Sequence, residues 1–322
     1  MRVKFILAEI ILGVLLCMIP LAAQMPQAYV PNERDGTVSV IDTLTDVVTA
    51  TLSVGGLRPR GVAVSPDRQF LYTANADSHD VSVINLRTRT VVTKIAVGTS
   101  PEVAVIAPDG KRLYVTNEAK NIAQLSVVDT ATNKISASIK VGNETEGLAF
   151  SPDGRQLYAT NEAEDSIAII ALAENKIIAR IPVGEFGHRP RGIVISPDAR
   201  RIYVSLESTN SVAVLHAATG KLIKKILVGH RPYGLALTKD GKTLYVANGR
   251  SADVRVVDTK TLRVIAQIPV GKRPWGMALT PDGRKLYVAN GESNSLSVID
   301  TAKNKVINTV AVGERPWGVV IR

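Results

Sequence analysis

Short apolar runs alternate with polar turns along the chain, and the segment 276–313 shows the pattern in full. It contains four apolar runs, at 276–279, 285–290, 296–300 and 306–312, and the third alternates apolar with polar residues. Runs of this length, bounded by Pro, Gly and Asn, are typical of β-strands. The segment therefore predicts a sheet of four short antiparallel strands.

The same unit recurs along the whole chain. A motif of the form Tyr-Val-x-Asn, in the second strand of each unit, occurs at intervals of about 42 residues, and its tyrosines are Tyr29, Tyr72, Tyr114, Tyr158, Tyr203, Tyr245 and Tyr287. Such a period is typical of β-propellers, in which each repeat forms one blade. The sequence thus predicts an all-β fold, a seven-bladed β-propeller of four-stranded antiparallel blades. We expect each Tyr to pack between blades and each Asn to cap the following turn through the backbone.

The two ends of the chain complement each other. A turn built around an aspartate precedes the motif in six units only, because the chain enters the first unit in its second strand. The segment 315–322 has the sequence of an innermost strand. We therefore expect this C-terminal strand to join the N-terminal blade, which closes the ring and removes its free sheet edges.

The N-terminus has the layout of a secretory signal. Arg2 and Lys4 precede an apolar run at 5–16, and two alanines follow shortly after it. This arrangement is typical of a cleaved signal peptide at 1–23. We expect a periplasmic or extracellular protein with no transmembrane segment after cleavage; an uncleaved membrane anchor is the alternative.

Residues 26–322 are expected to form the propeller as a single domain, since no linker or low-complexity stretch interrupts the repeats. The one cysteine, Cys17, lies in the signal segment, so the propeller is expected to have no disulfide. The formal net charge of the chain is +10. A field of this sign favours anionic partners, such as a small anion, an acidic protein or nucleic acid.

The residues that depart from the repeat gather on the face that holds the turns after the Tyr-Val-x-Asn motifs. One position before the axial glycine, or its equivalent, the units have Arg60, Glu102, Glu146, Arg191, Tyr233, Trp275 and Trp317. Two positions earlier they have Arg58, Ser100, Glu144, Arg189, Arg231, Arg273 and Arg315. The length insertions at 121–124 and 185–188 lie on this face as well. Insertions on one face are typical of the binding face of a repeat protein.

We predict that this ring binds a planar anion, or an anionic partner, at the mouth of the central channel. The candidate ligand-binding residues are Arg60, Arg191, Tyr233, Trp275, Trp317, Arg231, Arg273 and Arg315. Guanidinium groups bind carboxylate or phosphate in a forked geometry, and aromatic rings offer a stacking surface. Trp275 and Trp317 should lie side by side, flanked by Tyr233 and Arg60. The alternative is structural: the arginines pair with carboxylates of neighbouring blades, and the tryptophans fill the channel.

Other chemistry is sparse in the sequence. No catalytic residue and no metal ligand is assigned, because no nucleophile, Gly-rich phosphate loop or haem-attachment Cys pair has a recognisable setting. Glu102, Glu118, Glu146 and Glu162 share the face described above, and such carboxylates could hold a hard cation such as calcium.

The repeated Tyr-Val-x-Asn strands, together with Val-Ser-Val-Ile-Asp at 38–42, resemble the YVTN-family β-propeller repeat proteins over essentially the whole predicted mature chain. The Arg-Pro-x-Gly segments at 58–61 and 315–318 are similar to those of exported propellers associated with pyrroloquinoline-quinone-dependent catabolism. The resemblance implies a seven-bladed periplasmic or surface protein, and it makes pyrroloquinoline quinone a candidate cofactor.

The sequence therefore favours an exported binding or accessory protein that is not itself an enzyme. One alternative is an enzyme, either a lactonase-like hydrolase that uses the carboxylates with a divalent cation, or a quinone-dependent oxidoreductase that uses the Arg and Trp residues. A second alternative is single-stranded nucleic-acid binding, since Arg and aromatic residues alternate at the mouth.

Overall fold

The computed structural model describes residues 26–118 and 124–322. These residues form seven sheets of four antiparallel strands, arranged as the blades of a ring. The predicted seven-bladed propeller is therefore confirmed. The predicted signal segment 1–23 and most of the insertion at 121–124 lie outside the described residues. Within the described part of the chain, no helix is long and apolar enough to cross a membrane.

The first four blades are built as follows. Blade 1 contains β1 (Gln27–Asn32), β2 (Thr37–Asp42) and β3 (Val47–Ser53), and it is completed by the last strand, β28 (Val320–Ile321). Blade 2 contains β4 (Pro59–Val64), β5 (Phe70–Asn75), β6 (Asp80–Asn85) and β7 (Thr90–Ala96). Blade 3 contains β8 (Pro101–Ile106), β9 (Arg112–Asn117), β10 (Gln124–Asp129) and β11 (Lys134–Lys140). Blade 4 contains β12 (Thr145–Phe150), β13 (Gln156–Asn161), β14 (Ser166–Ala171) and β15 (Lys176–Pro182).

The other three blades repeat this order from the axis outwards. Blade 5 contains β16 (Pro190–Ile195), β17 (Arg201–Leu206), β18 (Ser211–His216) and β19 (Leu222–Leu227), with a 3₁₀ turn at Glu207–Thr209. Blade 6 contains β20 (Pro232–Leu237), β21 (Thr243–Asn248), β22 (Asp253–Asp258) and β23 (Arg263–Pro269). Blade 7 contains β24 (Pro274–Leu279), β25 (Lys285–Asn290), β26 (Ser295–Asp300) and β27 (Lys305–Ala311).

The C-terminal strand closes the ring, as the sequence predicted. Strand β28 pairs antiparallel with β1, so that Tyr29 lies opposite Val320. The main-chain N–H of Gln27 donates to the carbonyl oxygen of Arg322 at 2.7 Å, and the N–H of Arg322 donates back at 3.0 Å. The two ends of the chain thus form one blade together, in which β28 covers the inner edge of β1.

The hydrophobic core lies between the blades rather than at the axis. The motif tyrosines Tyr72, Tyr114, Tyr203, Tyr245 and Tyr287 are among the largest fully buried side chains. Tyr72 of blade 2, for example, belongs to a cluster that includes Leu113 and Val115 of blade 3. The expected packing of the motif tyrosines between blades is confirmed.

The motif asparagines only partly follow the expectation that each caps the following turn through the backbone. The Nδ2 group of Asn117 does donate to the main-chain oxygen of Gln124 across the turn, at 2.8 Å, but others bind side chains instead. The Nδ2 group of Asn75 donates to Asp80 Oδ1 at 2.6 Å and to Ser82 Oγ at 2.8 Å, and both acceptors lie on the next strand. Asn290 binds Ser295 and Ser297 in the same way. Because these amides are buried, they need partners that are buried too, and the side chains of the adjacent strand supply them.

The innermost strands approach one another closely at glycines. A Cβ atom at Gly276 would lie 2.6 Å from the Cα of Gly318, in the segment that leads into β28, and one at Gly61 would lie 2.6 Å from the carbonyl oxygen of Glu102 in β8. Glycine removes the side chain that would hold the strands apart. The residue before each of these glycines is consequently brought to the mouth of the channel.

We expect Gly276→Ala to lower the free energy of unfolding by about 1–3 kcal/mol, because the added methyl group overlaps the backbone of the next blade. Gly318→Ala is the matched control: a Cβ there meets no atom within 4 Å, so it should cause no comparable loss. Urea unfolding followed by circular dichroism measures both. Equal stability of the two variants would contradict the close approach of the strands.

Candidate functional site at the channel mouth

Three aromatic side chains meet at the channel mouth. The rings of Trp275 and Trp317 lie with their centroids 5.8 Å apart at an interplanar angle of 74°. Tyr233 stacks on Trp275 at 6.2 Å and 28°, and it meets Trp317 edge-on at 5.8 Å. The guanidinium carbon of Arg60 lies 5.8 Å from the Trp317 ring centroid. The structure thus brings together the four residues that the sequence placed at the mouth.

Arg60 is held by carboxylates from the blades on both sides. Its Nε lies 3.2 Å from Glu33 of blade 1, and its Nη1 forms an ion pair with Glu102 of blade 3. Glu33 also pairs with Arg58 at 2.6 Å and lies 4.0 Å from Arg315. Both carboxylates are buried. The charge of Arg60 is therefore compensated within the protein.

Arg191 lies at the centre of a second, larger cluster. Its Nη1 forms an ion pair with Glu146 and lies 2.5 Å from Glu162, while its Nε lies 2.7 Å from Glu207. The hydroxyl of Tyr233 donates to the second oxygen of Glu146 at 2.8 Å. The guanidinium of Arg191 lies 5.4 Å from the Tyr233 ring centroid. The cluster therefore connects the carboxylates directly to the aromatic residues.

The net pKa shift differs among the carboxyl groups within each cluster, because burial and the neighbouring arginines act in opposite directions. Burial raises the pKa of Glu162 to about 7, against the opposing charge of Arg191 and with the help of the neighbouring Glu146. Burial likewise raises the pKa of Glu102 well above its usual value, although Arg60 opposes the shift. For Glu33, burial is outweighed by the hydrogen bond from Arg58 and the charges of Arg60 and Arg315, and the pKa is lowered.

Glu33 and Glu207 were not among the residues singled out from the sequence. Each directly follows the second strand of its blade, in the same register as Glu118 and Glu162. Reading that register around the ring would have identified them, since it holds Glu33, Ala76, Glu118, Glu162, Glu207, Gly249 and Gly291. We call this set the rim position.

The four carboxylates considered for calcium do not gather around one point. Glu102 interacts with Glu118 and Arg60, whereas Glu146 and Glu162 face Arg191. Within residues 26–118 and 124–322, no group of three or more His, Cys, Asp or Glu side chains is arranged to hold a metal ion. The guanidinium groups occupy the positions between carboxylates that a cation would need.

A cleft of about 370 Å³ opens beside the aromatic residues, between blades 5, 6 and 7. Its basic residues are Arg231, Arg250, Lys272 and Arg273, its acidic residues are Glu207 and Glu292, and its aromatic walls are Tyr233 and Trp275. A second cavity of about 280 Å³ shares three of these residues and adds Arg189 and His230. The two cavities form a basic strip along one side of the mouth.

The candidate arginines therefore fall into two groups. Arg60 and Arg191 are largely buried and surrounded by carboxylates. Arg231 and Arg273 are more exposed and line the cleft, while Arg315 lies nearer Glu33. A binding role for any of them stays a prediction, but the two candidate arginines that line the cleft lie at the starts of blades 6 and 7.

We expect the stability of the wild-type protein, relative to Glu162→Gln, to fall as the pH rises from about 4.5 to about 7. A carboxyl group whose pKa is higher in the folded than in the unfolded state binds its proton more tightly when folded, so it favours folding at low pH and loses that contribution as it ionises. Urea unfolding at a series of pH values measures the difference.

Glu33→Gln is the comparison variant, and its difference from wild type should have the opposite sign. The pKa of Glu33 is lowered in the folded protein, so its contribution is present above about pH 4.5 and is lost as the pH falls further. Parallel profiles for the two variants would contradict the assignment of the carboxylates to different electrostatic settings.

Comparison with known proteins is consistent with this architecture. No curated protein matches the chain. Among solved structures, the hydrazine synthase of Kuenenia stuttgartiensis is 27% identical, with a TM-score of 0.79 over 85% of this chain and 92% of that one. A protein of unknown function from Desulfotomaculum acetoxidans is 19% identical, with a TM-score of 0.80 over 92% and 98% of the two chains. A candidate 6-phosphogluconolactonase from Bacteroides uniformis is 18% identical, with a TM-score of 0.76 over 93% and 100%.

The last two similarities, at under 25% identity, bear on the fold alone. A family model described as "Lactonase, 7-bladed beta-propeller" matches residues 98–230 and 228–311, which together make up more than half of the chain. With seven blades in the structure and this match in the sequence, the chain belongs to the seven-bladed β-propeller lactonase family.

Proposed function

We propose that this protein binds a small organic anion in the cleft between blades 5, 6 and 7. The observation that carries the proposal is the composition of the cleft: four basic side chains face two acidic ones beside two aromatic walls. This combination suits a ligand with a carboxylate or phosphate and an apolar or ring-shaped body.

The positive charge of the cleft is only partly compensated by the protein. Arg231 lies 3.5 Å from Glu207, and Arg273 lies 3.2 Å from Glu292. Among the described residues, no ion pair involves the side chains of Arg250 or Lys272. Cations that converge without counter-ions raise the local concentration of anions and favour their binding.

The aromatic residues give the cleft a shaped wall. Tyr233 and Trp275 are half-buried and stack on each other, and the guanidinium of Arg273 lies 4.9 Å from the Trp275 ring centroid. Packing against two rings fixes their orientation before a ligand arrives, which lowers the entropic cost of binding. The apolar part of a ligand can then lie against rings that are already in place.

We further propose that the protein meets this ligand outside the cytoplasm and acts there as a binding or accessory protein. The signal-like segment 1–23 supports export, and the similarity to YVTN-family repeat proteins supports a periplasmic or surface location. Pyrroloquinoline quinone, a planar tricarboxylate, is one ligand of the proposed class.

Binding can be measured directly because Trp275 and Trp317 are the only two tryptophans of the chain. We expect benzene-1,3,5-tricarboxylate, pyrroloquinoline quinone or 6-phosphogluconate to change the tryptophan emission of the full-length protein and to give a calorimetric binding signal that weakens as salt is added. Benzene-1,3,5-trimethanol is the uncharged control. Absence of binding by all three anions would contradict the proposal.

Arg273→Gln should weaken binding of the tricarboxylate by about 10- to 100-fold, since a hydrogen bond to a charged group contributes about 1.5–3 kcal/mol. Arg284→Gln is the matched control, because Arg284 is in the same blade but in the turn on the opposite face, where its side chain is 86% exposed. Equal affinities of the two variants would place the anion elsewhere.

Glu292→Gln should strengthen binding by up to about fivefold, because it releases Arg273 from an exposed ion pair of modest energy. The carboxylate of Glu292 is half exposed, so its replacement should leave the fold unchanged. Calorimetric titration at low and high salt measures the effect. Unchanged affinity at both salt concentrations would show that Glu292 does not compete with the ligand for Arg273.

A second candidate function is hydrolysis of an anionic lactone, which the family match favours. Water would add to the lactone carbonyl and the ring C–O bond would break, which gives a hydroxy acid. Glu207 lines the cleft, and although burial opposes it, the charges of Arg191, Arg189 and Arg231 lower its pKa. It is therefore a carboxylate at neutral pH and can accept a proton from the attacking water.

Hydrolysis of 6-phosphogluconolactone above the spontaneous rate, followed by acid release, tests this candidate. Glu207→Gln should lose turnover by about 100-fold or more if it removes a general base, while binding of 6-phosphogluconate is retained. Lack of turnover by the wild-type protein, with binding intact, would leave the binding function alone.

A further inference from the structure

The rim position and the arginines at the mouth form a repeated pair across blade boundaries. Glu33 of blade 1 pairs with Arg58 at the start of blade 2 at 2.6 Å. Glu162 of blade 4 pairs with Arg189 of blade 5 at 2.5 Å, and Glu207 of blade 5 lies 3.5 Å from Arg231 of blade 6. In each case a carboxylate of one blade neutralises the arginine of the next.

The glutamate is replaced by glycine while the arginine is kept at two boundaries, between blades 6 and 7 and between blades 7 and 1. At the second of these, Arg315 lies 4.0 Å from Glu33 and outside the cleft, so only the boundary between blades 6 and 7 opens onto the cleft. The rim position of blade 6 is Gly249, yet the arginine that should face its carboxylate, Arg273, is present. At the boundary between blades 2 and 3, by contrast, both members are replaced together, by Ala76 and Ser100. Arg273 is thus an arginine whose usual partner has been removed while its charge has been kept.

The backbone at Gly249 is the same as at the rim glutamates. The N–H of Gly249 donates to the carbonyl oxygen of Arg231 at 2.8 Å, just as the N–H of Glu207 donates to that of Arg189 at 3.0 Å. Arg231 and Arg273 both have left-handed backbone conformations, with φ of 54° and 55°. Only the side chain is missing, and the cleft opens at that place.

We propose that a carboxylate of the ligand takes the position that a glutamate carboxylate occupies at three other blade boundaries and pairs there with Arg273. This inference rests on the proposed anion-binding function and makes it more specific: the ligand carries a carboxylate, and Gly249 determines which side of the mouth it enters. Gly249 is then a specificity-determining residue, because a side chain at this position would supply the counter-ion from within the protein.

The experiment restores the missing carboxylate. A Cβ at Gly249 would meet its nearest atom, the carbonyl oxygen of Arg231, at 3.5 Å, so a side chain can be added without backbone overlap. Gly249→Glu should weaken binding of benzene-1,3,5-tricarboxylate to the full-length protein by about tenfold or more, since it adds a like charge and occupies Arg273. Circular dichroism and urea unfolding establish that the variant is folded.

Two variants serve as controls. Gly249→Ala adds the Cβ atom without the charge and should bind within about threefold of wild type, because its contacts are ordinary van der Waals contacts. Gly291→Glu makes the same change at the rim position of blade 7, which does not line the cleft, and it should also keep the affinity. Acetate should compete with the tricarboxylate on the wild-type protein, whereas acetamide should not; this measurement depends on no variant.

The outcomes separate this inference from the proposed function. Loss of binding in Gly249→Glu alone, with competition by acetate, supports both. Unchanged binding in Gly249→Glu, equal losses in all three variants, or equal competition by acetate and acetamide would overturn the inference while the anion site stands. Failure of the wild-type protein to bind any of the three anionic probes would overturn both.

Discussion

The close approach of the innermost strands is the constraint on which the channel mouth depends. At Gly61 and Gly276 there is no room for a side chain against the adjacent strand. The residues one position earlier are therefore crowded around the axis, where water has limited access. A charge in such a place must be paired, because an unpaired buried charge is very costly. The ion-pair clusters around Arg60 and Arg191 follow from the geometry of the ring.

This requirement divides the mouth into two unlike halves. Around blades 1 to 5, carboxylates at the rim position and at the axis surround Arg60 and Arg191 and compensate their charge. Around blades 6 and 7, the axial residues are the aromatic Tyr233 and Trp275, and the rim position is glycine. Arg231 and Arg273 line the cleft, and each has a single glutamate, Glu207 or Glu292, within 3.5 Å. In the proposed binding mode, the anionic group of the ligand lies towards blades 6 and 7.

The sequence was sufficient for the fold because every blade repeats the same local signals. The Tyr-Val-x-Asn strands, the aspartate turns and the C-terminal strand in 315–322 each specify a strand or its partner. The structure has the seven blades that these signals predict. The convergence of Tyr233, Trp275 and Trp317 also followed from register alone. What the register could not supply was which residues of different turns come into contact. Arg250 and Lys272 lie in separate connections, and only the folded ring places them on one cleft with Trp275.

The missing side chains were harder to recognise than the unusual ones. Tryptophans attract attention in a sequence, whereas Gly249 looks like an ordinary turn residue until the pairing of its equivalents is known. The same pairing limits the chemistry of the acidic half. The pKa of Glu162, at about 7, suits a general acid or base, but the carboxyl group lies 2.5 Å from both Arg189 and Arg191. Arg191 is buried and held by two further carboxylates, while the side chain of Arg189 is 48% exposed. Proton transfer from Glu162 to a ligand therefore requires Arg189 to move away, because a guanidinium group does not itself give up a proton at neutral pH. Glu207 lines the cleft directly, but it too is paired with Arg191 at 2.7 Å and with Arg189 at 3.3 Å, so its carboxylate shares the same arginines.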